Sequence, residues 1–297
     1  MIHIDSCPIC SGKDFTPFLT TTDHSVSHET FQIVRCKECN LLITNPRPAD
    51  SELEKYYLSH TYTSHIKQGK SLMDRVYLLA RRFTLKWKFS LLKKYTSVTN
   101  GHLLDFGCGV GEFLKISAHH GWAITGVEPS EVARMNADPD VLPYIHGSLR
   151  AINSQQKKFD AITAWHVLEH VSDLNNTLAS LKHLLAPNGT MFIAVPNHNS
   201  LDAAHYAKYW AAYDVPRHLW HFDIDSMTKL MSAHSLTVSA VLPMRLDAFY
   251  VSLLSEKYKA GSFDISGSAT SLLNGLRSNR FAKTNKEYSS LVYIARR

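Results

Sequence analysis

The sequence predicts an α/β protein with a doubly wound, mostly parallel sheet of seven strands, preceded by a small four-cysteine ribbon and a long helix. After Gly101, short apolar runs alternate with helical patterns, as in a sheet whose two faces are both covered by helices. Two Cys-x-x-Cys pairs stand near the N-terminus. Between them and the alternating region, apolar residues recur at spacings of three and four, which indicates a helix.

The composition is that of a folded protein of enzyme size. The chain has 297 residues, of which 44% are hydrophobic and 20% charged, so it can bury a core in one large or two smaller domains. The first residues lack the pattern of a signal peptide, and we find no run of about 18 apolar residues that would span a membrane. We therefore expect a cytoplasmic protein.

The net charge of +6 is concentrated in one segment. Residues 70–95 contain eight basic residues and one acidic residue, which leaves 24 basic and 25 acidic residues elsewhere. A basic surface over the whole protein is therefore excluded, and nucleic-acid binding is disfavoured. A localised anionic partner stays open.

The two cysteine pairs have the spacing of zinc knuckles. Two residues between thiolates let both sulfurs face one ion, and two such pairs complete a tetrahedral shell. Residues 31–35 alternate like a strand leading into the second pair. We expect residues 1–48 to form a ribbon around a structural Zn²⁺, held by Cys7, Cys10, Cys36 and Cys39. Disulfides or redox pairs are the alternative, which a cytoplasmic location disfavours.

Residues 49–100 are predicted to connect the ribbon to the sheet through a long helix at about 71–95. One apolar stripe runs along this helix through Leu72, Val76, Leu79, Phe83, Trp87 and Leu91. A separate basic ridge is formed by Arg75, Arg82, Lys86 and Lys93. The ridge is typical of a solvated helix face. Alternatively, it is a dock for a phosphate-bearing substrate or an anionic membrane surface, so peripheral membrane contact stays open.

Residues 101–297 are predicted to form the sheet domain. Its strands are expected at 102–106, 122–127, 142–146, 159–164, 190–195, 236–242 and 289–295. Its helices are expected at 111–119, 130–136, 173–185 and 224–234. Between the last two strands lies an insertion at 246–288, which we expect to contain an amphipathic helix at 248–258 and a flexible loop at 261–270. The insertion could cover a site or form a dimer contact, and the oligomeric state stays open.

The first strand runs directly into a glycine-rich loop, Asp105-Phe-Gly-Cys-Gly-Val-Gly111. Glycines permit a tight turn and let a ligand lie against bare backbone at a helix N-terminus. Glu112 occupies the place of the last glycine of a dinucleotide fingerprint, where it would face a pyrophosphate, so NAD binding is disfavoured. Glu128, about 20 residues further on and at the end of the second strand, is suited to binding the two hydroxyls of a ribose.

Together with Trp165-His-Val-Leu-Glu-His170 after the fourth strand, these motifs resemble those of class I S-adenosylmethionine-dependent methyltransferases. The resemblance covers about residues 101–242. It implies a Rossmann-like methyltransferase sheet whose last strand is antiparallel. It also implies that S-adenosylmethionine is the cofactor, with contacts from Asp105, Gly107, Cys108, Gly109, Gly111, Glu128, Pro129, Ser148, Leu149, Trp165 and His166. The family often has an acid where this chain has Ser148, so the adenine contact departs from the family pattern.

Two histidine-containing segments are candidates for the chemistry, because histidine can take a proton near neutral pH. His166-x-x-Glu169-His170 also matches an inverted zinc-protease motif, but that motif requires a helix and this segment follows a strand. For Glu169 and His170 we consider either a divalent-metal role or capping of the next helix.

The second segment, 213–222, belongs to a predicted acceptor loop or lid at 198–222. Its aromatic and charged side chains suit a polar substrate held over a dry floor. We take His218, oriented by Asp214, as the first candidate base and His166 as the second. A purely structural loop is the alternative.

The sequence therefore predicts a methyltransferase acting on a small acceptor that could be anionic. The N-terminal zinc module resembles that of bacterial deoxysugar C-methyltransferases, which would imply a nucleotide-linked sugar. Quinone-like and lipid-linked acceptors stay open. The alternatives are a zinc-ribbon nucleic-acid-binding protein, an RNA methyltransferase and an NAD-dependent oxidoreductase.

Overall fold

The computed structural model describes residues 1–57, 72–153, 157–262 and 265–297. Within this part of the chain the strands form two sheets. The smaller sheet is antiparallel and has the order β1-β2-β3-β9. Its strands are β1 at Phe15–Thr22, β2 at Thr30–Cys36, β3 at Leu42–Thr44 and β9 at Trp220–His221.

The larger sheet confirms the predicted seven-stranded α/β architecture, with the order β10-β11-β8-β7-β4-β5-β6. Strands β4 to β8 are parallel, whereas the last strand, β11, is antiparallel to both of its neighbours. The strands are β4 at His102–Phe106, β5 at Ala123–Val127, β6 at Ile145–His146, β7 at Phe159–Trp165, β8 at Leu185–Pro196, β10 at Thr237–Pro243 and β11 at Ser290–Arg296.

The helices that cover this sheet begin close to their predicted positions. Asp173 and Asp223 act as N-caps, because their carboxylates accept hydrogen bonds from backbone N–H groups three residues on. The described helices are α1 at Asp50–Leu53, α2 at Leu72–Tyr95, α3 at Glu112–His119, α4 at Glu131–Met135, α5 at Arg150–Asn153, α6 at Leu174–Leu184, α7 at Leu201–Tyr206, α8 at Ile224–Ala233, α9 at Asp247–Ala260 and α10 at Ile265–Asn285.

Two strands differ from their predicted bounds by more than one residue at an end. The strand expected at 142–146 is reduced to Ile145–His146, because Leu142–Tyr144 form a 3₁₀ turn around Pro143, which has no N–H to donate to a sheet. Strand β8 begins at Leu185, five residues before its predicted start at 190. The extra residues are accommodated by a register shift against β7.

The prediction of a flexible loop at 261–270 was wrong, because helix α10 begins at Ile265 (residues 263–264 lie outside the described part). The polar face of this helix is the buried one. Asn274 donates to the hydroxyl of Tyr206 at 2.9 Å, and Ser278 donates to Asp202 at 2.6 Å. The exposed face instead carries Leu272, Leu273, Leu276 and Phe281. A helix with buried hydrogen-bonded serines does not have the apolar period that would have predicted it.

The apolar stripe predicted on α2 is buried only along its C-terminal half. Leu91 is buried, whereas Leu79 and Phe83 are 70% and 63% exposed. Arg82, Lys86 and Lys93 of the basic ridge are exposed. The side chains of Leu72, Arg75 and Val76 lie outside the described part. Within the described residues, no helix is long and apolar enough to cross a membrane.

The N-terminal ribbon shares its core with the large sheet. Strand β3 pairs with β9, which belongs to the 198–222 segment. Cys36 and Leu41 of the ribbon lie in the same buried cluster as Leu168 and Leu219 from the large domain. The 198–222 segment is therefore held between the ribbon and the α/β domain.

The buried guanidinium of Arg217 forms hydrogen bonds with both the ribbon and the 198–222 segment. Arg217 donates to Asp23 of the ribbon at 3.0 Å, to the backbone oxygen of Tyr56 at 2.8 Å, and through two nitrogens to Asp214 at 2.6 and 2.9 Å. Burial raises the pKa of the Asp23 and Asp214 carboxyls, but the guanidinium outweighs burial and lowers both pKa values overall. Both acids are therefore ionised at neutral pH, and one cation holds them.

Replacing Arg217 by alanine should lower the free energy of unfolding by about 3–5 kcal/mol, because it leaves the buried Asp23 and the half-buried Asp214 without their cation. The matched control is Arg277→Ala on the exposed face of α10, which should change it by less than about 0.5 kcal/mol. Chemical unfolding of the two variants measures the difference. Equal losses in both would contradict the proposed importance of Arg217.

Candidate functional site

The four ribbon cysteines come together as one cluster whose sulfur atoms all lie within 4.8 Å of one another. The sulfurs of Cys7 and Cys39 are 3.4 Å apart and those of Cys10 and Cys36 are 3.5 Å apart. These separations are far longer than a disulfide bond of about 2.05 Å. The cysteines are therefore free thiols arranged around a common centre.

The two knuckles share one backbone conformation. The residue after each pair, Ser11 or Asn40, has a positive φ of 61° or 65°. The N–H of each also donates to the carbonyl of the first cysteine of its pair, at 2.9 and 3.0 Å. This repeated geometry turns both cysteine pairs toward the same point.

The glycine loop leaves β4 with three positive φ values, 72° at Gly107, 55° at Gly109 and 78° at Gly111. A Cβ at Gly107 would clash with Val167, and one at Gly111 would lie 2.8 Å from Val141, so both positions require glycine for packing as well as for φ. At Gly109, by contrast, no atom lies within 4 Å of such a Cβ. The loop is therefore closely packed at Gly107 and Gly111, whereas the backbone at Gly109 is uncovered.

The carboxylate of Glu128 is positioned directly against this loop. One oxygen accepts a hydrogen bond from the N–H of Gly109 at 2.9 Å, and the other accepts from the N–H of Ser130 at 2.9 Å. Pro129 contributes its carbonyl, which accepts from Arg134 at 2.8 Å. Glu128 thus stands beside the bare backbone, at the end of β5.

Asp105, the second-last residue of β4, is almost completely buried. The Thr163 hydroxyl donates to its carboxylate at 2.6 Å. Burial raises the pKa of Asp105 to about 7, although this hydrogen bond and the nearby Lys88 oppose the rise. The acid is therefore poised to change protonation near neutral pH.

Lys88 is a site residue that the sequence analysis did not single out. Its ammonium lies over the ring of Trp165, 4.6 Å from the centroid, and burial lowers its pKa despite the nearby charges of Asp247, Asp105 and Glu112. Lys88 lies four residues before the buried Leu92, so its position on the inward face of α2 was readable from the helical period.

Ser148, Leu149 and Cys108, which the resemblance also assigns to the cofactor, lie at the same edge of the sheet but differ in exposure. Ser148 is exposed and Leu149 is half-buried, just after β6. A Cβ at Gly126 would lie 2.7 Å from the sulfur of Cys108, so this thiol packs over the bare Cα of Gly126. Burial raises the pKa of Cys108, which therefore has no thiolate character at neutral pH.

His166 follows β7 in a strained conformation, with φ of 56°. Its Nε2 lies 3.0 Å from Asp247 and its Nδ1 lies 3.4 Å from Glu169. Burial lowers the pKa of His166, but the two carboxylates outweigh burial and raise it to about 9. His166 is therefore protonated at neutral pH. Asp247, at the start of the 246–288 insertion, could not be assigned to this site from the sequence.

Glu169, His170 and His218 form a second cluster, with one ligand atom from each within 4.8 Å of the others. The Nε2 of His218 is 3.9 Å from Asp214, too far for a hydrogen bond, and Asp214 is instead paired with Arg217. The helix that follows His170 is capped by Asp173 and not by Glu169 or His170. The catalytic roles of His218, His166 and Asp214 stay predictions.

An apolar cavity of about 310 Å³ is lined in part by Asp247, whose carboxylate lies 3.0 Å from Nε2 of His166, and is called the cavity beside His166. It lies between α2 and the junction of β10 with α9. Its lining residues include Phe83, Trp87, Leu91, Leu242, Met244, Arg245 and Asp247. Because Asp247 also contacts His166, the cavity adjoins the C-terminal end of β7.

Comparisons with known proteins agree with this geometry. Residues 78–241, more than half of the chain, match the family model described as a methyltransferase domain. The ubiquinone biosynthesis O-methyltransferase of Coxiella burnetii (strain Dugway 5J108-111) is 30% identical over 118 residues, which cover 38% of this chain and 50% of that protein. The same-named enzyme of Rhodopseudomonas palustris (strain HaA2) is 31% identical over 148 residues, covering 45% and 56%.

The chain thus spans about half the length of these curated relatives. Among solved structures, the magnesium protoporphyrin IX methyltransferase of Synechocystis PCC 6803 with bound S-adenosylhomocysteine superimposes with a TM-score of 0.53 and 14% identity, covering 84% of this chain and all of that one (100%). At this identity the likeness concerns the fold. By its match to the family model, the chain belongs to the methyltransferase-domain family.

Proposed function

We propose that this protein is an S-adenosylmethionine-dependent methyltransferase acting on a small-molecule acceptor. The observation that carries the proposal is the bare backbone above Gly109, with Glu128 and Asp105 beside it at one edge of the sheet. Family membership and the fold of the S-adenosylhomocysteine-bound neighbour support it. S-adenosylmethionine supplies a methyl group on a positively charged sulfur, whose charge disappears on transfer.

In this proposal each residue at the edge has a binding task. Glu128 accepts hydrogen bonds from the ribose hydroxyls, and the loop backbone cradles the methionine part. Lys88 faces the methionine carboxylate, and Asp105 faces its amino group. The adenine lies against Ser148 and Leu149, and Trp165 and His166 flank the transfer site, with Pro129 and Cys108 shaping the loop.

Of the two histidines proposed as the base, His218 fits that role better than His166. A general base must be unprotonated at working pH, and the raised pKa of His166, about 9, leaves it charged. Protonated His166 is better suited to holding Asp247 and Glu169 in place. Asp214 acts on His218 indirectly, through the Arg217 junction that fixes the loop.

We propose a quinone-like acceptor. The cavity beside His166 is lined mainly by apolar side chains, which suits an aromatic or hydrocarbon group better than a nucleotide-linked sugar. The names of the curated relatives support the same choice. Arg245 at the lining is the group that would meet an anionic substituent.

The rival functions have less support. Glu112 pairs with Arg81 at 2.6 Å, which keeps a carboxylate at the helix start where NAD would place its pyrophosphate. The exposed ridge of Arg82 and Lys86 lies on the same helix as the exposed Leu79 and Phe83, so it is not the continuous basic surface typical of nucleic-acid binding.

We also propose that the four ribbon cysteines hold a structural Zn²⁺. Four thiolates are the ligand set of closed zinc sites, which leave no position for a substrate. The metal would hold the two knuckles together at the base of the small sheet.

Replacing Gly109 by alanine tests the proposed cofactor site. The added methyl group would occupy the space reserved for the ligand, so affinity for S-adenosylhomocysteine should fall at least about tenfold. The control is Gly261→Ala, a position with φ of 80° and equally open surroundings outside the site. Both variants should lose about 1–2 kcal/mol of stability through backbone strain, but only the first should lose affinity. Calorimetry that detects no binding to the wild type would refute the proposed function.

Replacing Cys36 by serine tests the proposed zinc site. The wild type should contain about one zinc per chain, whereas the variant should lose it and unfold at a lower temperature, because metal binding contributes to folding. Cys108→Ser removes a cysteine outside the cluster and should keep the metal. Elemental analysis and thermal unfolding measure both effects. A soluble Cys36→Ser protein with its full zinc content would contradict the proposal.

A further inference from the structure

We propose that Glu169, His170 and His218 form a binding site for a divalent cation, separate from the four-cysteine cluster. One ligand atom of each side chain lies within 4.8 Å of the other two. Glu169 and His170 come from the turn after β7, and His218 comes from the 198–222 segment. The N–H of Leu219 donates to the carbonyl of Glu169 at 2.8 Å, so the two segments are already joined at this point.

The carboxylate of Glu169 is buried with one ion-pair partner, His166, and with no hydrogen bond among the described residues. Its exposure is 0%, and neither oxygen has a hydrogen-bond partner among the described residues. The nearest positive charge is His166, whose Nδ1 is 3.4 Å away. Burying an ionised carboxylate is costly unless it is paired, hydrogen-bonded or bound to a metal. A cation in the cluster would directly bind a carboxylate oxygen that accepts no hydrogen bond among the described residues.

In both histidines the Nδ1 atom lies at hydrogen-bonding distance from a backbone carbonyl. The Nδ1 of His218 lies 2.8 Å from the carbonyl of Ala212, and that of His170 lies 3.1 Å from the carbonyl of Arg217. A carbonyl can only accept a hydrogen bond, so each Nδ1 carries the proton and each Nε2 keeps its lone pair. Hydrogen bonds of this kind from the second nitrogen fix the tautomer and orientation of metal-binding histidines.

Two imidazoles and one carboxylate are suited to first-row divalent ions such as Mn²⁺, Fe²⁺, Co²⁺ and Zn²⁺. Ligand atoms at about 2.1 Å from an ion are about 3–4 Å apart, so the three side chains would close slightly around it. Three protein ligands leave coordination positions open. An oxygen of the acceptor could occupy one of them, in which case His218 would act as a ligand and not as a free base.

The cation site itself does not depend on the proposed methyl transfer, although its role toward an acceptor does. Mn²⁺ is the probe, because it prefers nitrogen and oxygen ligands and leaves the thiolate cluster to zinc. The full-length, zinc-containing protein is titrated with Mn²⁺ and followed by electron paramagnetic resonance. Binding of S-adenosylhomocysteine to the same samples is measured separately, so that failure of one proposal is not mistaken for failure of the other.

We expect the wild type to bind about one Mn²⁺ per chain, with pulsed-resonance couplings to imidazole nitrogen. Glu169→Gln and His170→Asn should each weaken binding at least about tenfold. The control, His102→Asn, alters an exposed histidine at the start of β4 and should leave binding unchanged. His170 is only partly buried, so its variant serves if Glu169→Gln does not fold.

Two results would overturn the proposal. The first is a wild type that binds Mn²⁺ no more tightly than the folded variants. The second is bound Mn²⁺ that lacks nitrogen coupling, because such an ion would not be held by His170 and His218.

Discussion

The arrangement of the site depends on the buried guanidinium of Arg217. It is the point where the ribbon, the segment after β3 and the 198–222 segment meet, through Asp23, Tyr56 and Asp214. The neighbouring residue, His218, has its carbonyl bound by the hydroxyl of Thr44 at 2.7 Å. The ion pairs and the backbone bonds therefore fix the same stretch of chain from two sides.

In this arrangement the N-terminal ribbon supports the 198–222 segment and needs no contact with a cofactor. Strand β9 has two residues, and so short a strand is not stable without partners. Pairing with β3 supplies them and sets the orientation of the residues just before β9, including His218. We infer that the proposed zinc, by stabilising the ribbon, also stabilises the 198–222 segment.

The parts of the site that the sequence predicts are those determined by local geometry. The glycine loop requires positive φ at three positions, and Glu128 follows β5 directly, so both could be placed from the order of strands alone. Lys88, Asp247 and Arg217 could not be assigned their partners, because those contacts join segments distant in the chain.

The same reasoning explains the errors in the fold. The spacing of apolar residues predicts a helix only when the apolar side of that helix is buried. Helix α10 instead buries Ser271, Asn274 and Ser278. The exposed Leu79 and Phe83 on α2 likewise lie on a stripe that the period assigns to the interior. In α10, tertiary hydrogen bonds explain why the polar side is buried. On α2, Phe83 lines the cavity beside His166, so its exposed side chain belongs to the proposed acceptor site.

The central claim, that the ribbon holds the 198–222 segment in place, is tested most directly by hydrogen exchange. In a Cys108→Ser background, a mercurial that caps cysteine thiolates would release the proposed zinc without chelating other ions. The account predicts that the amides of Thr44 and Leu219 then lose protection, while those of β7 at the centre of the large sheet keep theirs. Unchanged protection at Leu219 after the ribbon has lost its metal would contradict it.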